Sequence, residues 1–198
     1  MENREGSGVG ILVMSIVTAL LLIGGGSAWY VRSADRAWRP RRSTSEAKSN
    51  LKAMVTGARA FFQEKDRYSA SLAEIGFEPE RGNRYAYFAD NTGTMERRTT
   101  TATVSAAPGD TAVGVDLFKH TGHVDITRGM LPRTFAGGVT LGVTGTCPEC
   151  EITMACAGNI DDDPTLDIWT ISTAARKGPA GENIAPGEPF CEQNDLTE

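Results

Sequence analysis

Histidine is nearly missing from this chain: two residues in 198, His120 and His123. No Ser-His-Asp order, phosphate-binding Gly-x-x-x-x-Gly-Lys loop or dinucleotide-type glycine pattern is present, so nucleophilic catalysis and nucleotide chemistry have no residues to rest on. An excess of basic charge is lacking too. Twenty Lys and Arg face 25 Asp and Glu, a net charge of −5, which argues against the basic face of a nucleic-acid binder. Internal repeats are absent, and 40% apolar with 23% charged residues excludes wholesale disorder.

A further absence is local. Between Gly6 and Val31 there is no charged side chain. The run GVGILVMSIVTALLLIGGGSAWYV is ~24 residues, ~36 Å as a helix, enough to cross a hydrocarbon core of ~30 Å. Trp29 and Tyr30 close it, where amphipathic rings favour the headgroup layer. A cleaved signal peptide would need a basic leader, a shorter apolar core and a small-x-small cleavage site. MENREGSG has one Arg against two Glu, so a membrane anchor over 9–31, after a short leader over 1–8, is the better reading.

Residues 32–42, RSADRAWRPRR, form a basic junction in which Pro40 interrupts the helix. Its five Arg would hold the body of the chain in the cytoplasm by the positive-inside rule. Four Cys in a Gly-rich, β-rich body point instead to an oxidising compartment.

From residue 43 the pattern becomes amphipathic. Ser43 and Glu46 make a capping box, and Ala47, Leu51, Met54, Val55, Ala58, Phe61 and Phe62 recur at spacings of three and four. This predicts a helix to about Lys65 with one apolar face seated on a sheet; core packing explains that stripe better than a ligand site. Short strands are expected over 84–89, 100–106, 115–119, 139–143, 151–157 and 166–172, separated by Gly, Pro and Asp clusters. The tail from Arg176 is expected to wrap the surface. One helix followed by consecutive strands indicates an α+β head, 43–198, with an antiparallel sheet.

The stretch SEAKSNLKAMVTGARAFFQEKDRYSASLAEIGFEPERGNRYAYF, Ser45–Phe88, resembles deltaproteobacterial type IV pilins, which share an S-E-A-K-x-N-L-K helix, an E-K-D-x-[YF]-S segment and E-I-G-F-x-P-E-R-G-N-R-Y. Residues 157–172 and the tail GEPFCEQND are similar to their late strand and C-terminus. The resemblance implies a long N-terminal helix, first transmembrane and then amphipathic, packed on an antiparallel head. It also implies membrane lipid, other pilin or pseudopilin subunits and the assembly machinery as partners. The head would lie outside the cytoplasm on an inner-membrane anchor or within a surface filament. Family members carry a Glu in the apolar segment that pairs with a neighbour's terminal amine; here that segment holds no acidic residue.

Within the head, Asn159, Asp161, Asp163, Thr165 and Asp167 place oxygen ligands in the order of a Ca²⁺ loop. Pro164 replaces the turn Gly and Thr170 stands where a bidentate Glu belongs, so an Asx-rich turn competes with calcium as the reading. For Cys147, Cys150, Cys156 and Cys191 two disulfides, 147–150 and 156–191, are favoured over a Zn²⁺ site or a redox Cys-x-x-Cys. His120 and His123, with Gly122 between, read as a solvated turn. The function expected is that of a structural subunit of a type IV pilus or secretion pseudopilus, non-enzymatic, in adhesion, motility or export. An anchored extracytoplasmic binding module is the alternative.

Overall fold

A computed structural model describes residues 44–101, 106–161 and 163–195. They belong to one compact unit that begins at Arg42. The expected membrane run, the basic junction and the Ser43 half of the capping box lie outside the described residues. Among the described residues no helix is long and apolar enough to cross a membrane.

Helix α1 covers 44–65, and its stripe is where the spacing put it. Ala47, Leu51, Met54, Val55 and Ala58 are all buried, four of them completely. Phe61 and Phe62 are only half-buried. Phe61 packs against the margin of the core with the Arg67 guanidinium 4.9 Å from its ring centre, and Phe62 stacks on Tyr68 at 4.5 Å. Asp66 adopts φ 52° and returns its N–H to the Phe62 carbonyl at 2.9 Å, a left-handed helix end.

Nine strands follow among the described residues: β1 Tyr85–Phe88, β2 Thr94–Glu96, β3 Asp110–Val113, β4 Gly142–Thr144, β5 Glu151–Gly158, β6 Asp167–Ser172, β7 Arg176–Lys177, β8 Asn183–Ile184 and β9 Phe190–Gln193. The main sheet runs β2-β3-β1-β5-β6-β9, with β4 also pairing β5. Strand β5 is its spine. It pairs antiparallel with β1 (Tyr87↔Cys156), β4 (Val143↔Ile152) and β6 (Met154↔Ile171, Cys156↔Trp169). The expectation of a wholly antiparallel sheet is corrected at one edge, where β2 joins β3 in parallel.

Side chains alternate between two apolar layers, as strand geometry requires. Tyr85, Tyr87, Val113, Ile152, Met154, Trp169 and Ile171 meet the helix stripe. Ala86, Phe88, Ala112, Ala155, Ala157 and Ile168 face away, under Ile126, Leu131, Phe135 and Leu141 from the 115–141 segment. The sheet is therefore buried on both faces, which explains why β1 and β6 are buried at every position.

One expected strand is displaced, and another lies largely outside the described residues. Residues 115–119 form no strand; the ladder ends at Val113 and the chain turns around the buried carboxylate of Asp116. Residues 102–105 lie outside the described residues, and their described neighbours are not in a strand. The tail does more than wrap: it forms the β7–β8 ribbon and adds β9 to the sheet edge beside β6.

Gly57 sets how closely α1 lies on the segment that follows it. A Cβ built there would fall 2.1 Å from the Ile75 carbonyl oxygen. Gly57→Ala is therefore expected to lower the unfolding free energy by about 1–3 kcal/mol through overpacking, although Ala favours a helix by about 1 kcal/mol. Denaturant midpoints of the two proteins check this. A raised midpoint would show that the Ile75 carbonyl yields freely.

Candidate functional site

The seam between helix and sheet carries polar chemistry at its N-terminal end. Glu46, on the first turns of α1, accepts the Arg84 N–H at 2.9 Å and the Tyr87 hydroxyl at 3.2 Å. Asn50, one turn further on, donates to the same hydroxyl at 2.7 Å. The side chain expected to cap its own helix thus ties that helix to β1. Burial pushes the Glu46 carboxyl up from its ordinary value, partly offset by these hydrogen bonds. A buried carboxylate lies in the same row of the sheet, where Asp167 pairs with Gly158 and Gly158 with Tyr85. Asp167 accepts the Tyr85 hydroxyl at 2.5 Å and the Trp169 indole N–H at 2.7 Å, and burial raises it too. Lys48 rests 4.5 Å from the Trp169 ring centre.

Of the expected calcium ligands, Asp167 thus lies on β6 and is bonded to the aromatic core. Asn159 is a donor in the 159–165 loop, its side-chain amide bonding the Asp163 carbonyl. Asp163 accepts the Thr165 N–H and hydroxyl at 2.6 Å each, the Asx turn that competed with calcium. Asp161 and Asp163 do converge, and the residue that joins them is Asp195 from the tail; the three carboxylates come within 4.8 Å of one another. Asp195 also accepts the Ile160 N–H at 2.8 Å and the Thr165 hydroxyl. Burial raises its carboxyl, and the charges of Asp161 and Asp163 add to the rise. Sequence reading missed Asp195 because it is more than 30 positions from the loop.

The cysteines divide. Cys147 and Cys150 are bonded, with Cα atoms 4.4 Å apart, on the turn between β4 and β5. The second expected bridge is not formed, since Cys156 and Cys191 are free thiols. Both pair in register with Trp169, from β5 and β9 respectively. Two strand spacings, ~9.6 Å, exceed the ~7 Å Cα separation that a disulfide can span. Burial pushes both thiols up, Cys191 to about 11, which makes them poor nucleophiles. His120 and His123 lie at a turn with rings 5.2 Å apart, and His120 Nε2 is 2.8 Å from the Gly82 carbonyl.

Three buried ion pairs fix the loops. Asp116 accepts Arg81 Nε at 2.6 Å and Nη2 at 2.9 Å, with the backbone N–H of Gly82 at 2.8 Å and of Lys119 at 3.2 Å. Arg98 bonds Glu96 at 2.8 Å, Asn83 at 2.9 Å and the Pro79 carbonyl at 2.8 Å. Arg176 bonds Glu192 at 2.9 Å. The Glu-Arg-Gly-Asn-Arg-Tyr stretch, Glu80–Tyr85, thus supplies the residues that anchor the loop between helix and sheet.

An amphipathic helix laid on a mostly antiparallel sheet, with this anchored loop between them, is the arrangement the Ser45–Phe88 stretch implied. A family model described as type IV pilin PilA matches residues 39–167. The chain belongs to that family. The type IV major pilin protein PilA of Myxococcus xanthus (strain DK1622) is 37% identical over 175 residues, covering 80% of this chain and 80% of that protein. In this pilin the geometry described is one of packing and anchoring, and the family is one of structural subunits.

The Asp116 pair gives a pH test. The bidentate guanidinium of Arg81, outweighing burial and helped by two backbone N–H groups, holds this carboxyl well below the usual range. A lowered acid stabilises the fold above its unfolded pKa of ~3.9 and ceases to as pH falls through the folded value. Asp116→Asn should cost about 2–4 kcal/mol at neutral pH. Chemical denaturation at pH 7 and pH 4.5 should show the same loss, because the carboxylate is ionised in both states there. A loss that disappears by pH 4.5 would contradict the pairing.

Proposed function

We propose that this pilin is a non-enzymatic structural subunit of a type IV pilus or a related secretion pseudopilus. The observation that carries the reading is the α1–sheet head itself, matched by family and by relative over most of the chain. The uncharged run over 9–31 inserts in the inner membrane, and α1 carries the head outside the cytoplasm. Lipid, other pilin subunits and the assembly machinery are its partners, and the bundled apolar segments form the core of the filament.

Surface shearing tests this. The protein should appear in the sheared filament fraction of cells that make it, and mass spectrometry of that fraction should show removal of the first eight residues. Retention of the whole, uncleaved chain in the membrane would overturn the filament reading in favour of an anchored binding module.

A cation at Asp161, Asp163 and Asp195 is a second element of the proposal, favoured by three carboxylates held within 4.8 Å in the Ca²⁺-preferred oxygen chemistry. It would clip the tail to the β5–β6 loop. Calcium at 1 mM should raise the melting temperature by a few degrees through linkage, and Asp163→Asn should abolish the rise. An equal rise in both proteins would remove the cation from the account.

A further inference from the structure

Two charged features of the head are in no ion pair among the described residues. On the side of the sheet away from α1, a pocket of about 540 Å³ is lined by Asn91, Thr92, Arg128, Arg133 and Thr134, among others. Arg128 spends Nε and Nη2 on neutral acceptors: the Asp90 carbonyl at 3.0 Å, the Thr94 carbonyl at 3.1 Å and the Thr111 hydroxyl at 2.6 Å. Neither Arg128 nor the exposed Arg133 is in an ion pair among the described residues. The nearby Asp90 carboxylate is already turned to the N–H and hydroxyl of Thr92, at 2.8 Å each. Burial lowers the Arg128 guanidinium from its ordinary value, and the charges of Asp90 and Asp110 offset part of that. Met130, two residues on, is left 42% exposed beside it.

The complementary feature is the Glu78-Pro79-Glu80 segment. Pro79 is buried and both glutamates are exposed. Residues i and i+2 of an extended chain project to one side, ~6.6 Å apart. Neither carboxylate is in an ion pair among the described residues. The segment is held rigidly from beneath, because Arg98 bonds the Pro79 carbonyl and Phe77 is in the helix-side core. Leu131 and Leu141, which line the arginine pocket, belong to the opposite core. The two features therefore sit on opposite sides of the sheet and cannot meet within one head.

We propose that the Arg128–Arg133 pocket receives the Glu78-Pro79-Glu80 segment of a second copy of this chain. The Arg133 guanidinium fork and the remaining Nη1 of Arg128 meet two carboxylates, the charge-assisted pairing Arg favours. Opposite faces make the contact heterologous, so each copy keeps one free donor and one free acceptor surface, and the contact propagates instead of closing a dimer. This rests on the reading of the chain as a filament subunit and names which surfaces of the heads meet.

Carbodiimide coupling on membranes holding the full-length R133K chain tests the contact without requiring filaments. A covalent dimer whose peptides join position 133 to Glu78 or Glu80 is the expected product. In filament-forming cells, R133E alone and E78R/E80R alone should each reduce sheared filament by at least about tenfold, since like charges then meet. Co-producing the two variants should restore it, because each supplies the surface the other lacks. If wild-type cells yield no filament but the 133–78/80 dimer forms, the pilus reading fails and the contact stands. Unchanged yield in the single reversals, with no such dimer, overturns the contact and leaves the pilus reading untouched. So does phosphate bound at the pocket in an Arg133-dependent way while the reversals are silent.

Discussion

The head depends on one contact: a helix stripe of small and medium apolar side chains seated on one face of an aromatic and aliphatic sheet surface. Leu51, Met54, Val55 and Ala58 cover Tyr87, Val113, Ile152, Met154 and Ile171. Each large side chain so buried contributes about 1.5–3 kcal/mol, and none of these residues has another partner layer. Because the opposite face is covered as well, by Ile126, Leu131, Phe135 and Leu141, the sheet is a middle layer. Its strands need no polar alternation, and β5 can be apolar on both sides.

Polar groups at the margins of this sandwich make it specific. Glu46 and Asn50 converge on the Tyr87 hydroxyl, while Asp167 gathers Tyr85 and Trp169. Apolar packing alone would allow the helix to slide along its own axis. A carboxylate that must meet one hydroxyl and one backbone N–H fixes the register of helix on sheet. The buried pairs Arg81–Asp116 and Arg98–Glu96 do the same for the connecting loop and for β2. Such pairs add less stability than their closeness suggests, since both charges leave water. Their effect is to make alternative arrangements costly.

What could be read from the chain beforehand divides along the same line. The helix, its buried face and strands β1, β5 and β6 followed from period and composition, because their residues are neighbours or near-neighbours in sequence. Val115–Lys119 misled because Val115, Leu117 and Phe118 carry a strand-like composition while Asp116 draws four donors into a turn. The short β2, β7, β8 and β9 carried no periodic signal; two to four residues are too few for alternation to show. At the acidic loop, local spacing found Asp161 and Asp163. It also enlisted Asp167, whose role was settled by an aromatic residue 82 positions away. Asp195 was invisible for the same reason. The Cys156–Cys191 pairing failed on strand order, which puts Trp169 between them and which no local pattern encodes.

The order of strands has a consequence for how the head comes into being. The spine β5 lies more than 60 positions after its neighbour β1, and the edge strand β9 arrives only at residues 190–193. While the chain is still emerging, α1 presents its greasy stripe with nothing to lie against. No early portion can close the middle layer by itself. The head therefore sets only once nearly the whole chain is present, and until then the helix stripe stays uncovered.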